Sequence, residues 1–201
     1  DGGSVFSLGV GLYVEASLKG GRVSIKKFGA RGDGVTLDQT AIENAVAYVE
    51  STSGVSTVYI PPPDVSYITN AEIAVTVSNK GIKGEGKTSV IEYTGGAGNV
   101  MFLGSKDPTP EVFSRNQFIS GVFLKVRNKI DTISGLVLER CIHYSLDDIS
   151  ITGGGSPNEN IPLNGAGLHV SKVSFIGRMR KLDISLFDIG ILISTPGALT
   201  Y

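Results

Sequence analysis

The amino-acid sequence predicts an all-β solenoid, in which short strands stack coil upon coil and one short α-helix closes the amino end. Three observations lead there. Short apolar pieces, each a turn residue followed by in-out-in alternation, recur through the second half of the chain. Glycine is frequent, at 27 of 201 residues, while tryptophan is absent and helix-forming runs are few, a composition that favours many short strands with tight turns. The two-residue turns that would join antiparallel hairpins are nearly missing. Asp33-Gly34 and Asn164-Gly165 are the interior candidates, and neither is flanked by matched alternating runs.

Residues 1–22 are rich in Gly and Ser with scattered apolar residues, which suits a linker or short extended arm. Val23-Ser24-Ile25 and Phe28 read as a strand, followed by a glycine-punctuated loop from Gly29 to Gly34. Arg31-Gly32-Asp33 matches a cell-adhesion tripeptide in letters, but inside this loop it reads as a turn. Ala41, Ile42, Ala45, Val46 and Val49 recur at helical spacing, and Thr36 with Gln39 has the form of a capping box, so a helix is expected from about Leu37 to Val49. Thr57-Val58-Tyr59-Ile60 is a strand ended by Pro61-Pro62-Pro63, which cannot donate to a ladder. Tyr67-Ile68, then Ile73, Val75 and Val77, continue as strands.

From Ile82 onward the pattern becomes self-similar. Ile119–Leu124, Gly135–Leu138, Asp148–Ile151, Gly167–Val170, Asp183–Leu186 and Gly190–Ile193 share one shape. Each such strand buries only two or three side chains and holds no fold alone, whereas stacked coils make a continuous apolar interior. The expected domain therefore runs over 23–201. The chain begins at Asp1 and ends at Tyr201 inside a strand-like pattern with no closing cap, so the solenoid is expected to continue beyond 201.

The 18 basic and 19 acidic residues nearly cancel, which leaves no electrostatic footprint for nucleic acid or anionic lipid. No run of about 18 apolar residues is present, so no membrane insertion is expected, and no secretion signal is visible at the amino end. Cys141 is the single cysteine, excludes an internal disulfide and is expected to be buried. His143 and His169 are the only histidines and have no cysteine or carboxylate at ligand spacing, so neither a metal nor another cofactor is expected.

The segment from Val23 to Thr36, the helix after it, Thr57-Val58-Tyr59-Ile60-Pro61-Pro62 and Gly84-Glu85-Gly86 resemble, in order and spacing, the amino-terminal signature of pectate-lyase-like β-helix proteins. Polygalacturonase-like hydrolases, some secreted glucanases and many phage tailspikes share it. Where that signature has two adjacent acids after the glycine loop, this chain has Leu37-Asp38, a change that touches helix capping. The resemblance implies a right-handed parallel β-helix. For phage members it also implies a homotrimeric tailspike or tail fibre, assembled in the host cytoplasm into the virion and acting outside the cell. The partners so implied are other tail or baseplate proteins and a bacterial surface polysaccharide, which such proteins bind and often cleave. A secreted pectinase-like hydrolase or lyase is a rival reading, as is a structural virion adaptor. The paired aspartates in an Asn-Thr-Asp setting and the Gly-His-Gly of polygalacturonases do not occur here, so a depolymerase site, where there is one, is expected outside this segment.

Three carboxylates are candidates within it. If Asp148-Ile149-Ser150-Ile151 and Asp183-Ile184-Ser185-Leu186 stack in register, Asp148 and Asp183 would stand about 5 Å apart on the outer face, a spacing of about 5 to 5.5 Å being that of a retaining glycosidase pair. An aspartate beside a strand also commonly fixes a turn. Glu139, with His143, Asp147 and Asp148 close behind it, would form an acid–base group, although alternation places Leu136 and Leu138 inside and leaves Glu139 on a solvated turn. Tyr59, Tyr67, Tyr93 and Tyr144 are candidates for stacking on sugar rings, or for packing. The insertion Gly153–Asn160 is expected to project as a loop that contacts glycan or a neighbouring subunit, or is a tolerated excursion.

Overall fold

A computed structural model describes residues 4–7, 13–16, 21–109, 112–127, 133–154, 165–172, 174, 176–187 and 189–194. The recurring strands pair in parallel and sort into two main sheets and a small one, in which Ser114–Arg115 pairs with Cys141–Ile142. Arg22–Ser24, Thr57–Tyr59, Gly81–Lys83, Phe118–Val126, Ser145–Thr152 and Arg178–Ser185 lie side by side in an eight-stranded sheet, which also takes in Tyr67–Thr69 and Val90–Tyr93. Ile73–Val75, Gly98–Gly104, Ile133–Glu139, Ala166–Ser171 and Ile189–Ser194 form the five-stranded second sheet. Successive passes of the chain add strands to these sheets in turn, two of the passes placing two strands in the eight-stranded one, so the fold is the expected parallel β-helix with a helix at its amino end. In the region read as an arm, Ser4–Ser7 pairs antiparallel with Tyr13–Ala16. No helix among the described residues is long and apolar enough to cross a membrane.

Alternation sets which side chains face inward, and the register stacks like on like. Val23, Val58, Ile82, Ile119 and Leu146 form one inner column, every member buried. Val75, Leu103, Leu138 and Val170 form another on the second sheet. Burying each of these aliphatic side chains contributes about 1.5–3 kcal/mol before the entropy of ordering the chain is set against it. Leu136 and Leu138 point into this core, as alternation predicts, and the Cys141 thiol is buried within it.

The coils turn sharply because single residues adopt the left-handed conformation at stacked positions. Asn79, Asn116, His143 and Ile176 take it between successive strands, with φ of 62, 53, 57 and 57°, and Asn116 Nδ2 donates to Asn79 Oδ1 at 3.0 Å. A second set lies inside the long strands themselves, where Gly121, Asp148 and Lys181 have φ of 65, 56 and 51°. Asn and Asp tolerate this conformation through local hydrogen bonding, whereas other side chains are strained by about 1–2 kcal/mol.

The helix spans Gln39–Ser51 and buries Ala41, Ile42, Ala45, Val46 and Val49 over the first coil, with Tyr48 against Phe28 at 5.9 Å between ring centres. It begins two residues later than expected and the Thr36–Gln39 capping box does not form. Asp38 is the N-cap residue without a capping bond from its side chain; its carboxylate instead accepts from the amides of Arg31 at 2.6 Å and Gly32 at 3.2 Å. The Thr36 hydroxyl donates to Asp33 at 2.7 Å, and the Gln39 amide is used by Glu43 and Ala71. Competition for the same groups explains the shift, since the glycine loop needs both aspartates to satisfy its backbone. Phe28 belongs to a 3-10 turn, Ile25–Phe28, and not to a strand.

Glu92 ties this loop to the later coils. Its buried carboxylate accepts from Ser66 Oγ at 2.8 Å and Arg127 Nε at 2.9 Å and lies 3.2 Å from Lys125 Nζ, while Arg127 Nη2 donates to the Gly34 carbonyl at 3.3 Å. The Arg127 hydrogen bond, chiefly, holds Glu92 down at about 2, against an ordinary value of 4.5. A folded-state value below the unfolded one stabilises the protein above the ordinary carboxylate range, and that contribution is lost as pH falls towards 2. Glu92→Gln is therefore expected to lower stability at neutral pH and to flatten the pH dependence between about 4.5 and 2. Chemical denaturation across that range tests this; an unchanged slope assigns the acid sensitivity elsewhere.

Candidate functional site

Because the inner columns fix the pleat, the flanking residues of the large sheet must face outward. They also stack. One outer column reads Arg22, Thr57, Gly81, Phe118, Ser145 and Arg178. The next reads Ser24, Tyr59, Lys83, Ser120, Asp147 and Arg180. These rows make a continuous face of hydroxyls, cations and two aromatic rings along the solenoid axis.

Both rings are held in place. The Arg22 guanidinium lies over Tyr59 at 4.7 Å from the ring centre, and the Tyr59 hydroxyl donates to Glu85 at 2.9 Å. Partial burial first, and then this bond, push the Tyr59 hydroxyl above its ordinary pKa. Phe118 lies across Gly81, where an added Cβ would come within 2.6 Å of Phe118 Cγ, so only glycine leaves room for the ring. Arg180 grips Asp147 with both ends of its guanidinium, Nε at 2.8 Å. That bond, with the charges of Arg180, Lys181 and Arg178, holds the Asp147 carboxyl below its ordinary range.

The expected pairing of Asp148 with Asp183 does not occur. The register sets Asp183 opposite Ser150, and Asp148 falls between the pairs Asp147–Arg180 and Ile149–Leu182, level with Lys181. The matching letters were offset because Asp148 sits at the left-handed corner of its strand, whereas Asp183 lies two residues past the corner of the next. Asp183 Oδ2 is 2.7 Å from Lys87 Nζ, with both side chains largely exposed, and the Asp148 carboxylate lies against Gly86.

Glu139 stands on the second sheet, at the end of Ile133–Glu139, and pairs with Lys172 at 2.9 Å and Arg140 at 3.4 Å. It forms no group with Asp147 and Asp148, which are on the other sheet. His143 occupies a left-handed corner, and His169 Nε2 lies 2.8 Å from Ser194 Oγ. No group of three or more potential metal ligands exists among the described residues. Burial pushes the Cys141 thiol up to about 12, which leaves it inert as a nucleophile.

Of the four candidate tyrosines, Tyr67, Tyr93 and Tyr144 are buried, and Tyr59 is the one that reaches the outer face. Phe118, Lys83, Arg22 and Arg178 were not singled out in the sequence. Each occupies an ordinary outward position, and only the strand register shows them as neighbours. Of the insertion Gly153–Asn160, Gly153 bonds Ser185, and 155–164 lie outside the described residues.

A family model described as rhamnogalacturonase A/epimerase, pectate lyase-like, matches residues 22–165. No curated protein matches the chain in sequence. Among solved structures, ORF18 of Geobacillus virus E2 is similar with a TM-score of 0.55 at 18% identity, over 87% of this chain and 41% of that one. Gene product 12 of bacteriophage phi29, in its pre-mature form, is similar with a TM-score of 0.53 at 20% identity, over 76% of this chain and 24% of that one. The chain thus spans less than half of the first protein and about a quarter of the second. At these identities the likeness is one of fold.

The corner explains Asp148 without chemistry. Gly121 holds the same corner one coil earlier, where a Cβ would meet the Gly84 carbonyl oxygen at 2.6 Å and the Gly86 nitrogen at 2.9 Å. Asp148→Gly is expected to unfold within about 1 kcal/mol of the parent, and Gly121→Ala to lose about 2 kcal/mol or more. Thermal or denaturant unfolding compares them; an equal loss in both would mean that the Asp148 carboxylate itself matters to stability.

Proposed function

The chain belongs to the rhamnogalacturonase A/epimerase, pectate-lyase-like family, and on that premise we propose that it is part of a phage tailspike or tail fibre that attaches the virion to a polysaccharide on the host surface. The observation that carries this is the outer face of the large sheet. Rings of Tyr59 and Phe118, fixed by Arg22 and Gly81, offer flat apolar surfaces for sugar rings, and Thr57, Ser120, Ser145 and the charged groups around them supply hydrogen bonds. A rigid parallel sheet holds them without an ordering cost on binding. The two phage proteins that share the fold support placing the chain in a virion.

In this reading the residues before Arg22 join the β-helix, which begins one residue earlier than the expected Val23, to other tail or baseplate proteins, the assembly is a homotrimer, and this segment binds glycan without cleaving it. Asp148 serves the corner, while Asp183 and Glu139 are engaged by Lys87 and Lys172.

The protein is expected to run as a trimer in solution and to bind capsule or O-antigen purified from its host. No reducing ends should appear. Asp148→Asn, Asp183→Asn and Glu139→Gln should leave binding unchanged. Release of oligosaccharide that one of these variants abolishes would replace the binding role with a hydrolase or lyase, and a stable monomer that binds no host glycan would overturn the proposal.

A further inference from the structure

The helix that closes the amino end, Gln39–Ser51, carries Glu43 and Glu50 and no basic residue. Between one flank of it and the first strand of the second sheet, Ile73–Val75, lies a cleft of about 230 Å³. Val46, Ala47, Ile73 and Ala74 give the cleft an apolar lining, and Glu43, Glu50 and Glu72 stand around it. Glu72 is answered from within the fold, by Lys106 and by Asn99 Nδ2 at 2.6 Å. The other two carboxylates are fixed in place but not neutralised. Glu50 Oε1 accepts from the amides of Thr76 at 2.6 Å and Val77 at 3.1 Å, and Glu43 Oε1 accepts from Gln39 Nε2 at 2.7 Å. Neither enters any ion pair among the described residues. Glu50 also lies in the last turn of the helix, whose carbonyl end is itself partly negative. The Lys80 ammonium is taken by the carbonyls of Thr52 and Val55.

We infer that this cleft docks a basic segment of another virion protein, two of whose lysine or arginine side chains lay their methylene stems on the apolar lining and pair with Glu43 and Glu50. The inference rests on the virion reading above and names where, and by what chemistry, a tail partner is held. Charge complementarity decides the occupant. An apolar segment closing over the cleft would strip water from two unpaired carboxylates, a cost that so small an apolar contact does not offset. A basic side chain reverses the sign, since its stem packs on apolar surface while its head stays with the carboxylate. The two glutamates are seven residues apart on the helix, two turns or about 10 Å along its axis, so one cation does not bridge them and the partner supplies two. A metal ion does not fit for the same reason, and no group of three or more potential ligands exists among the described residues. The cleft also flanks the end at which Arg22–Ser24 begins the β-helix, where a connection to the tail is expected.

The test titrates the whole protein with tetralysine, with the same peptide acetylated on its side chains, and with peptides tiled over the other tail and baseplate proteins of the virion. Tetralysine is expected to bind, more weakly as salt is added, and the acetylated peptide is not. Glu43→Gln and Glu50→Gln should each weaken binding about threefold and the double variant about tenfold, in keeping with partly exposed ion pairs. Carbodiimide coupling of tetralysine should fall on Glu43 and Glu50, and Asp64→Asn, an exposed carboxylate outside the cleft, should change nothing. The tiles that bind should be basic and should compete with tetralysine. Glutamine keeps the accepting oxygen in each variant, so unfolding curves that match the parent separate docking from folding. Equal binding of tetralysine by parent and double variant, or no competing tile, would overturn the proposal. So would a trimer that dissociates in the double variant, because a second copy would then fill the cleft. Host-glycan binding, measured on the same samples, reports on the attachment reading separately and should be the same in parent and variants.

Discussion

Parallel stacking of aliphatic side chains, from Val23 through Val58, Ile82 and Ile119 to Leu146, is the constraint on which the rest of this molecule depends. A single coil buries too little to be stable, because its strands are two to nine residues long and only alternate positions face inward. Stability arises between coils, where each ladder of backbone hydrogen bonds holds a column in register and each column keeps water from the ladder. A slip of one residue would turn the inner set outward. Everything on the surface inherits that register, including the order of the outer columns.

The left-handed corners are the second consequence of stacking. A coil that must return to start the next strand has to turn within few residues, and a single residue at positive φ does this most compactly. The position therefore repeats in space whatever the side chain. At one corner it is Gly121, Asp148 and Lys181 in succession, and at another Asn79, Asn116, His143 and Ile176. Residues that look chemically informative in isolation, such as Asp148 and His143, are there because a backbone conformation recurs. The carboxylates of Asp183 and Glu139 are likewise separated from Asp148 by the stacking, one by register and the other by a change of sheet.

The amino end meets a different problem, since Arg22–Ser24 has no neighbour on its outer side among the described residues. The helix covers the opening with an apolar stripe, and Asp33, Asp38 and Glu92 organise the glycine loop that leads into it. Asp38 is buried where a helix cap would ordinarily face water, and it spends its oxygens on Arg31 and Gly32. Glu92 then couples this loop, through Arg127, to a strand three passes later in the large sheet. Cap and coils are thus one cooperative unit.

The sequence by itself determined the fold class, the helix with its buried face of Ala41, Ile42, Ala45, Val46 and Val49, and the inward direction of Leu136 and Leu138. These follow from periodicities of 3.6 and 2 that act over a few residues. The resemblance of residues 23–91 to pectate-lyase-like proteins was legible too, because its glycines and prolines occupy positions that backbone geometry demands. Which strands lie level with one another was decided only in the tertiary structure, since a repeat with unequal connecting segments does not state its own register. That is why Asp148 and Asp183, similar in local sequence, stand apart. It is also why Tyr59, Lys83, Phe118 and Arg178, spread over some 120 residues, share one face.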